Sequence, residues 1–237
     1  MSPFIERWLA IREKWHLKNH TFFAAWEDGK LSMEQMCLYV IQNYQITRHF
    51  FRQVPACMAK APIDVRRLLA ENLAEEFGLL GVGDRKGVDH DDLQFAFCDA
   101  AGLPRERMIH GEFYPHYQAL AYYFWNLVYN EPWQVFLAAG GACESQNVEM
   151  HRRSVKGLVR HHGFKPGDPA IGFFEEHVEA DTEHGRRALQ ILDEHVKSPE
   201  LQAECLKATE TAVQLFWYAL NECERYIVKG QREPVPA

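Results

Sequence analysis

The sequence predicts an all-α protein of seven to nine helices. Strand signals are nearly absent, because few β-branched residues alternate with polar ones and no Asn-Gly or Asp-Gly turn joins two apolar runs. Apolar residues instead recur at helical spacing, and the 237-residue chain is long enough to bury one core. We therefore expect a single helical domain over residues 1–230 and a disordered tail over 231–237.

Start and stop signals divide the chain into the predicted helices. The clearest start is the capping box at Ser32, where Gln35 follows three residues later and a long helix opens. Four glycines mark residues 78–88 as a loop. The predicted helices span residues 3–18, a short segment before the turn at Asp28-Gly29, 32–60, 62–77, 89–102, 113–130, 132–162, 168–197 and 198–229.

Composition and charge argue against several classes of function. The net charge of −7 and the lack of a basic block argue against a nucleic-acid or anionic-membrane partner. The longest apolar runs, such as residues 119–125, are too short to span a bilayer, and charges interrupt the N-terminus where a signal peptide would lie. Six cysteines without CxxC spacing fall mostly in apolar helical patterns, which predicts reduced core thiols and a cytoplasmic protein.

Three potential metal ligands lie at helical spacing in the segment 177–184. A helix presents His177, Asp181 and His184 as one column on one face. Two imidazoles and one carboxylate are the donor set of non-haem iron and related divalent-metal sites. The alternative is a solvated stripe, because the segment is rich in charged residues, but an apolar stripe runs close to the triplet on the same helix.

Other helices must supply the remaining ligands of a two-metal site, because three ligands from one helix rarely suffice. Glu144 follows a nearly uninterrupted apolar run, and burying a carboxylate costs several kcal/mol unless it is paired or metal-bound. We interpret Glu144 as a ligand, the alternative being a charge at a helix bend caused by Gly140-Gly141. Glu75 stands near the end of the helix 62–77, where it can face the core, and His90 opens the next helix.

Several segments together carry a family resemblance. They are residues 20–35, Asn72-Leu-Ala-Glu75, His90-Asp-Asp-Leu, Ala101-Gly-Leu, Glu144-Ser-Gln and the triplet His177, Asp181 and His184. In these segments the chain resembles the haem-oxygenase-like helical proteins, which include thiaminase II, pyrroloquinoline-quinone synthase and haem-oxygenase-like di-iron oxygenases. The pattern is most similar to the branch of the chlamydial death-domain-associating protein, a p-aminobenzoate synthase. The resemblance implies a haem-oxygenase-like single-domain helical bundle.

In the di-iron branch the matching positions are metal ligands. The resemblance therefore implies two Fe(II) ions, with O2 as co-substrate, and six ligands. These are Glu75, His90, Glu144, His177, Asp181 and His184. Glu144 is implied as the bridging carboxylate and hence as a catalytic residue. The family places the first glutamate and the first histidine closer together, whereas fourteen residues separate Glu75 from His90 here, so the glycine-rich loop is an insertion.

Two further positions depart from the p-aminobenzoate synthase pattern. That enzyme uses a tyrosine and a lysine of its own, and the matching positions here are Phe23 and Ser154. Phenylalanine has no phenol to be consumed. The departure therefore argues against a self-sacrificing synthesis and implies a free small-molecule substrate.

We expect a non-haem di-iron oxygenase that oxidises a small amine- or amino-acid-like substrate, by N-oxygenation or oxidative C–C cleavage, in a biosynthetic pathway. The polar residues on the helix 32–60 that could recognise it are Gln42, Asn43, Tyr44, Thr47, Arg48 and His49. Tyr44 and Arg48 are expected to be catalytic, with Arg48 pairing a substrate carboxylate. We also expect a homodimer.

Two alternatives remain open. One is a metal-free oxidase like pyrroloquinoline-quinone synthase, which predicts no stoichiometric iron. The other is a non-enzymatic helical protein that binds a partner, which predicts a large exposed apolar patch.

Overall fold

Eleven α-helices make up most of the described chain, and no β-strand occurs in this part of it. The computed structural model describes residues 1–80 and 87–232, and for 179–184 it describes the backbone alone. Residues 81–86 of the predicted loop and residues 233–237 of the predicted tail lie outside the described residues. The all-α prediction is confirmed.

The helices follow one another with short connections. They are α1 (Pro3–Lys14), α2 (Thr21–Glu27), α3 (Met33–Met58), α4 (Ile63–Glu76), α5 (His90–Ala100), α6 (Arg105–Ile109), α7 (Pro115–Asn130), α8 (Trp133–Glu144), α9 (Asn147–His161), α10 (Gly172–His195) and α11 (Pro199–Cys223). Short 3-10 turns at Leu17–Asn19 and Pro169–Ile171 precede α2 and α10, and a π-helical turn at Glu224–Val228 follows α11.

The described chain has more helices than the predicted segments, because α6 was not predicted and the segment 132–162 forms two helices instead of one. The break follows α8 at Ser145 and Gln146. The buried Gln146 side chain accepts a hydrogen bond from the Leu17 backbone N–H (2.8 Å) and donates one to the Ala142 carbonyl (3.2 Å). The prediction of one continuous helix over 132–162 is therefore wrong. Gln146 contacts Leu17, which is distant in the sequence, so helical spacing does not reveal the break.

Helix α8 lies inside the bundle. Its sequence is apolar on all sides, which is typical of a buried helix, and residues 135–143 are all buried. It packs against α7, α10 and α11. The helix ends at Glu144, so the fold places this carboxylate at the end of a buried segment.

The capping box predicted at Ser32 is present at the start of α3. The Ser32 hydroxyl accepts the Gln35 backbone N–H (3.2 Å), and the Gln35 side chain accepts the Ser32 backbone N–H (2.9 Å). We expect Ser32→Ala to lower the free energy of unfolding by about 1 kcal/mol, because one N–H at the helix start loses its partner. Urea unfolding measures this, with Ser32→Thr as the control that keeps a hydroxyl cap. Equal stability of Ser32→Ala and the parent protein would contradict the expectation.

All six cysteines are buried and unpaired, which confirms the prediction of reduced core thiols. Among the described residues, no helix combines the length and the apolar character that crossing a membrane requires.

Candidate metal centre

Three side chains from three helices meet inside the bundle. Glu76 is the last residue of α4, His90 is the first residue of α5, and His177 lies near the start of α10. One ligand atom from each lies within 4.8 Å of the others, and both histidines are buried. The arrangement brings two imidazoles and one carboxylate together, which is a donor set that divalent first-row metals accept.

The N-terminus of α5 fixes the position of His90. The Asp89 side chain caps this helix by accepting the Asp92 backbone N–H at 2.7 Å. His90 Nδ1 then lies 2.5 Å from Glu76 Oε2, and His90 Nε2 lies 3.7 Å from Glu176 Oε1. Burial alone would lower the pKa of His90, but the two carboxylates outweigh it and raise the pKa to about 10. The surroundings of His90 therefore favour a positive charge, and a divalent cation would displace this proton.

Helix α10 orients His177 for metal binding. Its Nδ1 lies 2.7 Å from the Phe173 carbonyl oxygen, one turn earlier in the same helix. If Nδ1 donates this bond, Nε2 is the acceptor nitrogen and the one that can bind a metal. The centroids of the His177 and His90 rings are 4.6 Å apart. A carbonyl that fixes the tautomer of a ligating histidine is a common feature of metal sites.

Glu144 reaches the same part of the molecule from α8. Together with Glu76 and His177 it lines a cavity that contains about 700 Å³ of non-protein space, part of it open to solvent. Glu144 and Glu76 also line a second cavity on the side of α4 and α10. The predicted ligand at the end of α8 and the cluster of Glu76, His90 and His177 therefore share one region of the fold.

The structure brings Glu76 to the cluster, and its neighbour Glu75 lies near Arg187 on α10, so the ligand role of Glu75 stays a prediction. Glu75 Oε1 lies 3.6 Å from Arg187 Nη1, and its side chain is 29% exposed, against 11% for Glu76. The sequence contains a signal for this difference. The buried residues of α4 are Val65, Leu69, Leu73 and Glu76, so Glu76 continues the apolar stripe of this helix.

The side chains of Asp181 and His184 lie outside the described residues. The backbone of α10 is helical through both positions and through His177. The single-face column of these three residues stays a prediction.

Tyr44 and Arg48 lie on a neighbouring face of α3, and neither lines either of the two cavities. The Arg48 guanidinium lies 5.5 Å from the centroid of the Tyr44 ring, and that ring lies 5.3 Å from the ring of Phe95 on α5. Their catalytic roles stay predictions. The polar residues of α3 that do line the larger cavity are Asn43, Thr47 and Gln53.

Two residues near the cluster were not predicted. Glu176 lies beside His90, and the buried His151 on α9 has its ring centroid 5.1 Å from that of His177. Burial and the neighbouring His177 and His90 hold the pKa of His151 well below its ordinary value, so His151 is neutral. The feature of the sequence that could have indicated a buried His151 is its position in the buried stripe of α9, beside Met150 and before Ser154.

Comparisons with known proteins identify a family for this chain. A family model described as "iron-containing redox enzyme" matches residues 37–217. The 4-aminobenzoate synthase of Nitrosomonas europaea is 29% identical over 90% of this chain and 87% of that protein. The 4-aminobenzoate synthase of Chlamydia trachomatis is 27% identical over 80% of this chain and 79% of its own length.

Solved structures show the same fold. A TenA homologue from Pseudomonas syringae superposes with a TM-score of 0.80 at 20% identity, covering 94% of this chain and 93% of that one. A domain of unknown function with a haem-oxygenase-like fold from Shewanella denitrificans gives a TM-score of 0.76 at 16% identity, covering 97% and 96%. The haem-oxygenase-like bundle is therefore confirmed. Because the family model spans more than half of the chain, the protein belongs to the family of iron-containing redox enzymes.

Proposed function

We propose that this protein is a non-haem di-iron oxygenase that uses O2 to oxidise a small amine- or amino-acid-like substrate. The observation that supports it most is the buried meeting of Glu76, His90 and His177 beside a cavity that Glu144 also lines. Membership of an iron-containing redox family supports the choice of metal. Two imidazoles and one carboxylate buried together form a donor set that divalent first-row metals bind.

The described residues supply part of the donor set that two ferrous ions would need. Glu76, His90 and His177 offer one carboxylate and two imidazoles, and Glu144 supplies a second carboxylate beside them. Glu76 takes the place that the resemblance gave to Glu75. Asp181 and His184 complete the proposed set from α10. Two ferrous ions supply the electrons that O2 needs in order to react with an organic molecule.

The chain's own residues prepare the site in three ways. His177 Nδ1 lies against the Phe173 carbonyl, so Nε2 is the nitrogen proposed to bind the metal. Glu76 and Glu176 favour a cation at His90. The phenyl rings of Phe50 and Phe124 line the cavity beside Glu76 and Glu144, and such walls exclude water from the reacting atoms.

Two positions at which the chain departs from the p-aminobenzoate synthase pattern support a free substrate. Phe23 is fully buried, and its ring contacts those of Trp26 and Tyr39. Ser154 is also buried, and its hydroxyl donates to the Met150 carbonyl at 3.1 Å. These positions contribute packing and a local hydrogen bond, and they offer neither a phenol nor an amine. We therefore propose that the oxidised molecule is not a side chain at these positions.

The test is iron-dependent O2 uptake. Metal-free protein is loaded anaerobically with Fe(II) or, as the control, with Zn(II), which accepts the same ligands and has no redox chemistry. We expect O2 uptake in proportion to the bound iron on mixing with aerated buffer, and further uptake with a substrate amine. The zinc protein and the metal-free protein should take up none. Uptake by metal-free protein with an organic substrate would instead favour the metal-free oxidase.

A further inference from the structure

The second cavity adjoins the larger one at the candidate metal centre. Residues of α3, α4, α8 and α10 enclose it. The lining residues that it shares with the larger cavity are Phe50, Glu76, Gly140 and Glu144. The two cavities therefore meet at two of the carboxylates that are proposed to bind iron.

Beyond these shared residues, most of the wall of the second cavity is apolar. Each of the four helices contributes aliphatic side chains to it, among them Val54, Leu69, Leu137 and Ile191. Two polar side chains of this wall already bind each other, because Arg187 Nη1 donates to the Asn72 amide oxygen at 3.1 Å. An apolar wall offers water few hydrogen-bond partners, whereas an uncharged apolar molecule needs none.

The second cavity is smaller than its neighbour. The space open to the centre of a water-sized molecule is about 30 Å³, against about 100 Å³ in the larger cavity. About 10–15 Å³ of such space is enough to hold one water molecule. The second cavity therefore has room for a diatomic molecule, and the larger cavity is the better fit for an organic substrate.

Gly140 leaves open space where other residues carry a side chain. It lies in the buried helix α8, and a Cβ added to it would meet no atom of the described residues within 4 Å. Its neighbour Gly141 differs, because a Cβ there would lie 3.2 Å from the Ala188 Cβ, so the close packing of α8 and α10 accounts for that glycine. Glycine inside a helix is less stable than alanine. Packing among the described residues does not require a glycine at position 140, which indicates that the open space itself has a use.

We propose that the second cavity binds dioxygen, and that the missing side chain at Gly140 keeps open the space through which O2 reaches the metal centre. The inference rests on the proposed oxygenase function and adds to it a gas site separate from the substrate cavity. O2 is uncharged, apolar and diatomic, so it suits both the size and the wall of this cavity. When a substrate occupies the larger cavity, O2 still approaches Glu76 and Glu144 from the second one.

Paramagnetic relaxation by dissolved O2 tests the site without any reaction. The full chain is loaded with Zn(II), which has no redox chemistry, and its methyl groups are observed by NMR under O2 pressure. The increase in relaxation rate caused by O2 should be at least threefold larger for Leu69, Leu137 and Ile191 than for Leu103 and Leu206. The last two are similarly buried but line neither cavity. An equal increase in both groups would overturn the proposal.

A side chain at Gly140 tests the role of the open space. Gly140→Leu places an isobutyl group there and should lower the O2 effect on Leu137 and Ile191 at least twofold. In the iron-loaded protein it should slow the oxidation of bound Fe(II) by O2 at least fivefold in rapid-mixing experiments, at unchanged iron content. The control is Ala119→Leu, because Ala119 is exposed on α7 and lines neither cavity. It should keep the parent relaxation pattern and rate.

Leu69→Phe fills the same cavity from another helix. Leu69 lies on α4, two turns before Glu76, and lines only the second of the two cavities. This variant should also lower the O2 effect on Ile191 and slow the oxidation of bound iron, without a change next to the proposed ligands. Circular dichroism checks that each variant folds. Parent-like relaxation and parent-like oxidation rates in folded Gly140→Leu and Leu69→Phe would contradict the proposal.

Metal-free protein separates this inference from the proposed function. An O2 effect that is concentrated at the second cavity without metal, and is reduced by Gly140→Leu, supports the gas site even if the iron-loaded protein takes up no O2. Iron-dependent O2 uptake without an enhanced O2 effect at the cavity methyl groups would support the oxygenase and reject the gas site.

Discussion

Glu76→Gln is expected to weaken iron binding by more than about 100-fold, whereas Glu75→Gln is expected to leave it nearly unchanged. The two residues are adjacent, have the same side chain and lie in the same last turn of α4. Among the described contacts, Glu76 Oε2 lies 2.5 Å from His90 Nδ1, and the Glu76 carboxylate belongs to the cluster with His177. An amide is a neutral, weaker ligand than a carboxylate, so the substitution removes a charge that the metal needs.

The measurement is iron content after anaerobic loading and desalting, with bound iron determined by a chelator assay. Glu75→Gln is the matched control, because Glu75 has the same side chain and the same helix turn but lies near Arg187, and a partly exposed ion pair of this kind is worth at most about 1 kcal/mol of stability. Parent-like iron content in Glu76→Gln, together with loss in Glu75→Gln, would restore Glu75 as the ligand and contradict the geometry.

Glu144→Ala is expected to abolish binding of at least one iron. Glu144 ends the buried helix α8 and lines the same cavity as Glu76 and His177, and a bridging carboxylate serves both metals. Removing it should therefore weaken iron binding more than the removal of a ligand that contacts one metal. Its O2 uptake should fall to the level of the zinc-loaded parent protein.

Glu149→Ala is the control for this substitution. Glu149 lies in the first turn of the next helix, α9, and pairs with Arg152 at the surface. Its replacement should change the free energy of unfolding by no more than about 0.5 kcal/mol and leave the iron content intact. Full iron content and full O2 reactivity in Glu144→Ala would show that Glu144 is not a bridge.

The sequence was sufficient to predict the parts of the fold that local chemistry determines. Ser32 and Gln35 form the predicted capping box, and Asp89 caps the helix that His90 opens. The break after α8 depends instead on the contact of Gln146 with Leu17, which are 129 residues apart. Helical periodicity contains no information about a partner so far along the chain.

The sequence indicated the residue types of the candidate site more clearly than their positions. His90 and His177 are separated by a long stretch of chain, and the structure brings them together as the resemblance implied. Glu75 and Glu76 are adjacent in α4, so the packing of the whole helix decides which carboxylate faces the cluster. The same holds on α3, where the cavity is lined by Asn43 and Thr47 rather than by their neighbours Tyr44 and Arg48.

We propose that this chain holds two irons in one buried site. Anaerobic titration of the metal-free protein with Fe(II), followed by Mössbauer or absorption spectroscopy and a parallel count of free iron, tests it most directly. The proposed ligands predict saturation at about two Fe(II) per chain for the parent protein and for Glu75→Gln. They predict a clear deficit for Glu76→Gln. Saturation of the parent protein at zero would contradict a metal centre at Glu76, His90 and His177, and saturation at one would contradict the di-iron assignment.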